Sequence, residues 1–256
     1  MHVVVTRPQE QARAWLDALA QAGHTPHALP LIDIAALAGP AEQDALASAR
    51  SRVAQFQALM FVSSSAVAHF VGQNGALALM EYAQTAIKTR AWATGPGTVK
   101  ALQDAGWPAG LIDSPPPGPL DSEALWRQVR HQVAPGGRVL VVRGAGGGRD
   151  WLTLQLEADG VLVEHCDAYE RRRPAWTAAQ MQQARSLAGP HAAWLFSSSE
   201  GVRNLGVLMP QQDWSQTRAI ATHARIAQAA QALGFAVAAP SRPTLPEVLA
   251  SIESLA

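Results

Sequence analysis

Cysteine is nearly missing from this chain of 256 residues, where Cys166 stands alone. One thiol excludes an intramolecular disulfide framework and any cysteine-built zinc cluster. Lysine is nearly as scarce, with only Lys88 and Lys100, so arginine carries the positive charge, a coding bias that points to no function. Net charge is absent, since 20 Lys and Arg balance 20 Asp and Glu. That balance argues against a nucleic-acid partner, because such domains normally carry a basic excess on one face. No apolar run approaches the ~18 residues of a spanning helix. The segment MHVVVTRPQEQ lacks the basic and apolar regions of a signal peptide. The expectation is a cytoplasmic protein that does not enter a membrane. With 48% hydrophobic residues the chain can bury a full core, as one large domain or two small ones.

What is present is an alternation. The β-branched runs Val3–Thr6 and Val139–Val142 each precede a stretch with apolar residues at helical spacing. After the first run, Ala14, Trp15, Ala18, Leu19 and Ala22 share a helix face, and Gly23 closes the helix. Strands alternating with helices predict an α/β fold with parallel sheets covered on both faces.

The chain also repeats itself. Val3-Val4-Val5-Thr6-Arg7 matches Val139-Leu140-Val141-Val142-Arg143, and Arg13-Ala14-Trp15-Leu16 matches Arg149-Asp150-Trp151-Leu152. Further on, Phe61-Val62-Ser63-Ser64-Ser65 matches Leu195-Phe196-Ser197-Ser198-Ser199, and Arg90–Thr94 matches Arg218–Thr222. Blocks recurring in one order with drifting offsets describe a duplicated unit, too long for a solenoid and suited to two similar domains. Each unit offers five candidate strands, which in the first half are Val3–Thr6, Thr25–Leu29, Leu59–Val62, Trp92–Thr94 and Leu111–Asp113. Five such strands suit a flavodoxin-like sheet. Two further stretches, Leu31–Ala35 and His165–Tyr169, alternate apolar and polar residues at equivalent places. Strands like these can pair with each other as a connector between domains.

In a doubly wound sheet, ligands bind beyond the carboxyl ends of the strands, where helix N-termini present free N–H groups. Thr6-Arg7-Pro8, Ser63-Ser64-Ser65, Thr94-Gly95-Pro96-Gly97-Thr98, Arg143-Gly144 and Ser197-Ser198-Ser199 all fall there. Small residues, hydroxyls and arginines grip carboxylates or phosphates without bulk. Each hydroxyl alone reads equally as an N-cap. A cleft between two domains would collect both sets. Tyr169, one of two tyrosines, sits on the expected connector rather than in a sheet core. There it acts either as a weak general acid or as a packing residue with its hydroxyl in water.

Other chemistries fail on their motifs. Gly144-Ala145-Gly146-Gly147-Gly148-Arg149 ends in arginine where a dinucleotide fingerprint needs glycine or alanine, and no Gly-Lys-Ser/Thr phosphate loop occurs. There is no Gly-x-Ser-x-Gly, and the eight histidines form no metal-binding spacing. No cofactor and no metal are expected.

Joint order and spacing make the chain resemble the uroporphyrinogen-III synthase family. The carriers are Val5-Thr6-Arg7-Pro8, Gly23, Pro30-Leu31-Ile32, the Phe-x-Ser-Ser and Gly-x-x-Thr blocks, Arg138–Gly144, Asp167–Arg171 and Ala239–Pro246. The resemblance implies two flavodoxin-like domains joined by a two-stranded ladder, with the chain crossing over and returning. One domain would combine 1–33 with about 172–256, the other would hold about 38–166, and the linkers would lie near 30–38 and 164–173. It implies hydroxymethylbilane, a linear tetrapyrrole bearing eight carboxylates, as substrate. The implied reaction loses the ring A hydroxyl as water and closes the macrocycle with ring D inverted, through a spiro intermediate, without a cofactor. On this resemblance Tyr169 assists hydroxyl departure. Arg7, Ser63, Ser64, Gly95, Thr98, Ser197 and Ser198 bind substrate, Arg143 is expected to join them from its place at a strand end, and the enzyme is a monomer that meets the preceding pathway enzyme transiently. Where the family often has a second Gly-x-x-Thr, this chain has His223-Ala224-Arg225-Ile226, and Arg225 is expected to replace that grip with a direct cationic contact. The altered loop also suits a rival reading, a non-catalytic protein that binds tetrapyrroles or small anions on the same scaffold.

Overall fold

The computed structural model describes residues 1–72, 88–116, 122–147, 151–237, 241–242 and 244–254. The first elements are β1 (His2–Val5), α1 (Gln9–Gln21), β2 (Thr25–Ala28), β3 (Asp33–Ala35) and α2 (Pro40–Ser51). Next come β4 (Ala58–Phe61), a helix α3 over 64–72, β5 (Arg90–Ala93), α4 (Pro96–Asp104), β6 (Ile112–Asp113) and α5 (Ser122–Val129). β7 (Arg138–Gly144), α6 (Trp151–Ala158) and β8 (Leu162–Arg172) follow. The chain continues with α7 (Ala178–Ser186), β9 (Ala192–Phe196), α8 (Ser199–Leu208), β10 (Arg218–Ala221), α9 (Ala224–Ala232), β11 (Ala236–Val237) and α10 (Leu245–Glu253). The repeat block at Arg149-Asp150 and the closing Ala239–Pro240 and Pro243 lie outside the described residues.

The chain divides into two compact units, 1–33 with 172–256, and 34–171. The first unit holds a sheet in the order β11-β10-β9-β1-β2, parallel throughout. Numbered in chain order its strands read 2-1-3-4-5, the flavodoxin-like order. The second unit's sheet runs β3-β8-β7-β4-β5-β6. Counted from β7, its strands β8-β7-β4-β5-β6 also read 2-1-3-4-5, so this sheet is a circular permutation of the first. The units are therefore not the consecutive halves that the sequence repeat alone allows. Matched blocks β1 and β7, β4 and β9, and β5 and β10 hold equivalent sheet positions, but β1 pairs with the later strand β9 while β7 pairs with the earlier strand β4.

Both faces of each sheet are covered. In the first unit Val4, Trp194, Phe196, Ala219 and Ala221 pack on one face and Val3, Val5, Ala193, Leu195 and Ile220 on the other. In the second, Leu59, Phe61, Ala91, Leu140 and Val142 oppose Ala58, Met60, Trp92, Val139 and Val141. That alternation with no polar face is what forces helices onto both sides. At the first turn, Gly23 takes φ +81° and His24 N–H bonds back to the Leu19 carbonyl, so α1 ends and β2 begins within three residues.

The connector strands differ from expectation in extent. Leu31 and Ile32 stay out of β3, because the Leu31 carbonyl accepts from Asn204 Nδ2 at 2.8 Å and its N–H bonds to the Thr6 carbonyl. β8 is longer than expected, eleven residues, and serves as a sheet strand along β7 before it reaches Arg172. β3 and β8 are hydrogen-bonded neighbours at the edge of the second sheet.

Candidate functional site

The second unit assembles its polar groups where β4, β5, β7 and β8 end. β7 and β8 run in register from Arg138↔Leu162 to Arg143↔Asp167, and then the register slips so that Gly144 faces Tyr169. The extra residue, Ala168, makes a bulge. Strict alternation would send Tyr169 to the face opposite Cys166 and Ala168. The bulge instead keeps all three in one hydrophobic cluster. Tyr169 is thus a core residue, 5% exposed, and its hydroxyl has a protein neighbour. This corrects the expectation of a connector residue outside the sheet core.

The Tyr169 hydroxyl lies 3.2 Å from Ser63 Oγ, and Ser63 Oγ accepts the Ala66 N–H at 3.0 Å. Ser63 therefore caps α3 and touches the phenol with the same oxygen. Gly144 lies beneath the ring, and the His69 ring, on α3, stands 5.7 Å from it, tilted by 33°. Ser64 opens α3 and is half-buried. Gly95 is the N-cap of α4, its carbonyl taking the N–H groups of Thr98 and Val99, while Thr98 is buried in the helix's first turn. Arg143 Nε donates to Asp167 Oδ1 at 3.2 Å. The expected anion contact is thus already engaged by a carboxylate across the strand pair.

The first unit assembles a related set at the ends of β1, β9 and β10. Ser198 caps α8 by accepting from the Glu200 and Gly201 N–H groups at 3.1 and 3.5 Å. Ser197, just before it, is half-buried. Arg7 lies over the Trp15 ring, its Cζ 4.5 Å from the centroid. Its Nε is buried without a hydrogen-bond partner among the described residues, and burial lowers the guanidinium below its usual range. The divergent loop is built around His223, whose Nδ1 accepts the Arg225 N–H at 3.1 Å and caps α9. An imidazole thus does the capping work that a hydroxyl does on α8. The Arg225 side chain is exposed.

Several strand-end hydroxyls are structural. Thr6 Oγ1 donates to the Leu195 carbonyl at 2.7 Å, Thr94 to Val62 at 3.2 Å and Thr222 to Phe196 at 3.4 Å. Each ties the end of its strand to the neighbouring strand. Sequence reasoning misses His69 and Asp167. The adjacent apolar pair Ala168-Tyr169 on an otherwise alternating strand is the available signal for the bulge. Among the described residues no three His, Cys, Asp or Glu side chains gather to hold a metal ion, and no helix is long and apolar enough to cross a membrane.

Known proteins resemble this arrangement. A uroporphyrinogen III synthase from Helicobacter pylori superposes with a TM-score of 0.63 at 17% identity, over 100% of this chain and 99% of its own. A mutant uroporphyrinogen III synthase from Thermus thermophilus does so with a TM-score of 0.55 at 18% identity, over 100% and 98%. These likenesses establish the α/β architecture. The family model described as uroporphyrinogen-III synthase HemD matches residues 13–250. With that match running through both units and nearly every block described above, the chain belongs to the uroporphyrinogen-III synthase family of enzymes.

Proposed function

We propose that this enzyme converts hydroxymethylbilane to uroporphyrinogen III as a cyclising hydro-lyase, needing neither cofactor nor metal. The observation that carries the reading is the phenol of Tyr169, held at the carboxyl edge of a parallel sheet by a helix-capping serine. Hydroxymethylbilane closes unaided to the uninverted isomer, so the protein's task is to hold a conformation and help the hydroxyl leave. A phenol serves that task, because it donates a proton or hydrogen bond to the departing oxygen and takes it back from water afterwards. Ser64, Thr98 and the α4 N-terminus at Gly95 in one unit, with Arg7, Ser197, Ser198 and Arg225 in the other, are assigned to the substrate's carboxylates. Helix N-termini and guanidiniums suit that role in a protein without net charge. Arg143 acts through its pair with Asp167. We further assign a cytoplasmic monomer that receives its unstable substrate by transient contact with the preceding enzyme.

The test is the isomer composition of uroporphyrin formed from freshly made hydroxymethylbilane with and without the protein. Type III product rising with protein concentration is expected. Type I product alone, from folded protein, would refute the assignment and leave a binding protein on this scaffold.

A further inference from the structure

We infer that Ser63 is a positioning residue for Tyr169, relaying the N-terminal field of α3 to the phenol and fixing where its proton points. This rests on the assignment of Tyr169 above and changes the part expected of Ser63, from gripping substrate to orienting the acid. Two contacts meet on Ser63 Oγ, the Ala66 N–H at 3.0 Å and the Tyr169 hydroxyl at 3.2 Å. Between two hydroxyls only one proton occupies the shared bond. If Tyr169 donated, its acidic proton would be spent on Ser63. If Ser63 donates, the phenol oxygen is the acceptor and its own proton is left for a substrate oxygen.

The helix selects the second arrangement. An oxygen that accepts from an N–H at a helix N-terminus sits in a positive field and becomes a better donor and a poorer second acceptor. Ser63 therefore gives its proton to Tyr169. The phenol cannot swing away to another partner, because its ring is clamped. Gly144 lies against one part, with a Cβ there only 2.8 Å from Tyr169 Cζ, and the His69 ring stands beside it at 5.7 Å. The 3.2 Å separation is longer than an ordinary O–H···O bond, as catalytic hydrogen bonds often are before substrate tightens them.

Three groups of variants test this by kinetics and thermal melting. Ser63→Ala is expected to lower kcat about tenfold or more with KM changed less than about threefold, as expected for a transition-state interaction. Ser63→Thr, which keeps both the cap and the donor, should recover most of that loss. In the Tyr169→Phe background the same Ser63→Ala change should cost almost nothing further, because the partner is gone. Thr177→Ala, which removes the capping box of α7, supplies the stability cost of a lost cap and should leave kcat intact. Ser63→Ala effects that persist undiminished in the Tyr169→Phe background, or that fall on KM, would overturn the inference while leaving the role of Tyr169 standing. A Tyr169→Phe enzyme with unchanged kcat would refute the role of the phenol itself, and is read separately from the Ser63 result.

Discussion

Gly144 and Tyr169 face each other across the β7–β8 pair, and a Cβ built on Gly144 would stand 2.8 Å from Tyr169 Cζ, 2.9 Å from Cε2 and 3.2 Å from the hydroxyl. The two shorter distances are closer than real Cβ atoms come, so the ring or the strand must move. Gly144→Ala is expected to destabilise the protein by about 1–3 kcal/mol, the usual cost of overpacking. Because displacement carries the hydroxyl off Ser63, kcat should fall at least about tenfold. Urea unfolding and steady-state kinetics on one preparation check both. A stable variant with unchanged kcat would show that the seat of the ring is unimportant.

Two guanidiniums meet on one carboxylate at the other end of the same sheet. Glu164 Oε2 pairs with Arg52 at 3.0 Å and Oε1 pairs with Arg138, and both arginines flank the Phe56 ring. Burial pushes the Glu164 carboxyl up, but the hydrogen bonds and charges of Arg138 and Arg52 outweigh it and hold it below the usual range. The folded state thus binds this proton less readily than the unfolded chain. The stabilisation is complete above the ordinary glutamate value of about 4.3 and is lost as pH falls below it. Glu164→Gln should lower Tm by about 2–4 °C at pH 7, and the gap from wild type should close in acid. A gap that stays constant with pH would mean that shape, not charge, matters here.

How far the sequence carries toward this architecture is clear from the two sheets. Period-two runs with no polar face, such as Val3–Val5 and Val139–Val142, dictate buried parallel strands, and their repetition dictates two alike units. Repetition does not dictate which copy pairs with which. β1 is compatible with β4 or β9, since Leu59 and Ala193 present equally apolar neighbours, and pairing is decided by long-range packing. Anchors such as Asn204 on the Leu31 carbonyl and Trp176 Nε1 on the Pro30 carbonyl, 2.8 Å each, have no local signature. The site divides likewise. Ser63, Ser198 and Gly95 are legible because helix starts need caps. The burial of Tyr169 is less so, because the apolar pair Ala168-Tyr169 marks the break in alternation but the face the ring takes is set by the register against β7.

Cys166 illustrates burial acting on a single group. It is 5% exposed, and burial first, with the charge of Asp167 second, pushes its thiol up to about 11 against the smaller opposing pull of Arg50 and Arg52. At neutral pH the reactive thiolate is suppressed. Labelling by a thiol reagent should be at least about a hundredfold slower in the native protein than in denaturant. Since the unfolded thiol ionises near 9 and the folded one near 11, the folded state holds the proton longer, and this group's linkage lowers stability as pH rises between those values. Cys166→Ala should remove that component, flattening the alkaline loss of the urea midpoint relative to wild type. Parallel profiles for the two proteins would count against it.

Arg7 is the site residue whose two roles separate most cleanly by measurement. Stacked on Trp15 at 4.5 Å, it makes the contact expected of a guanidinium that braces a loop. Its buried Nε, unpartnered among the described residues, is the contrary sign. A donor taken from water without an acceptor costs about 1–3 kcal/mol, a cost that a substrate carboxylate would relieve on binding. Although burial lowers its proton affinity, an arginine remains a cation at neutral pH. Arg7→Ala is therefore expected to raise KM about tenfold or more with kcat within about twofold. Arg7→Lys should fall between, because an ammonium keeps the charge but cannot lie flat on the indole or meet a carboxylate with two parallel bonds. A lowered Tm with unchanged KM in both variants would assign Arg7 to the brace alone, and the carboxylate contacts of the first unit would then rest on Ser197, Ser198 and Arg225.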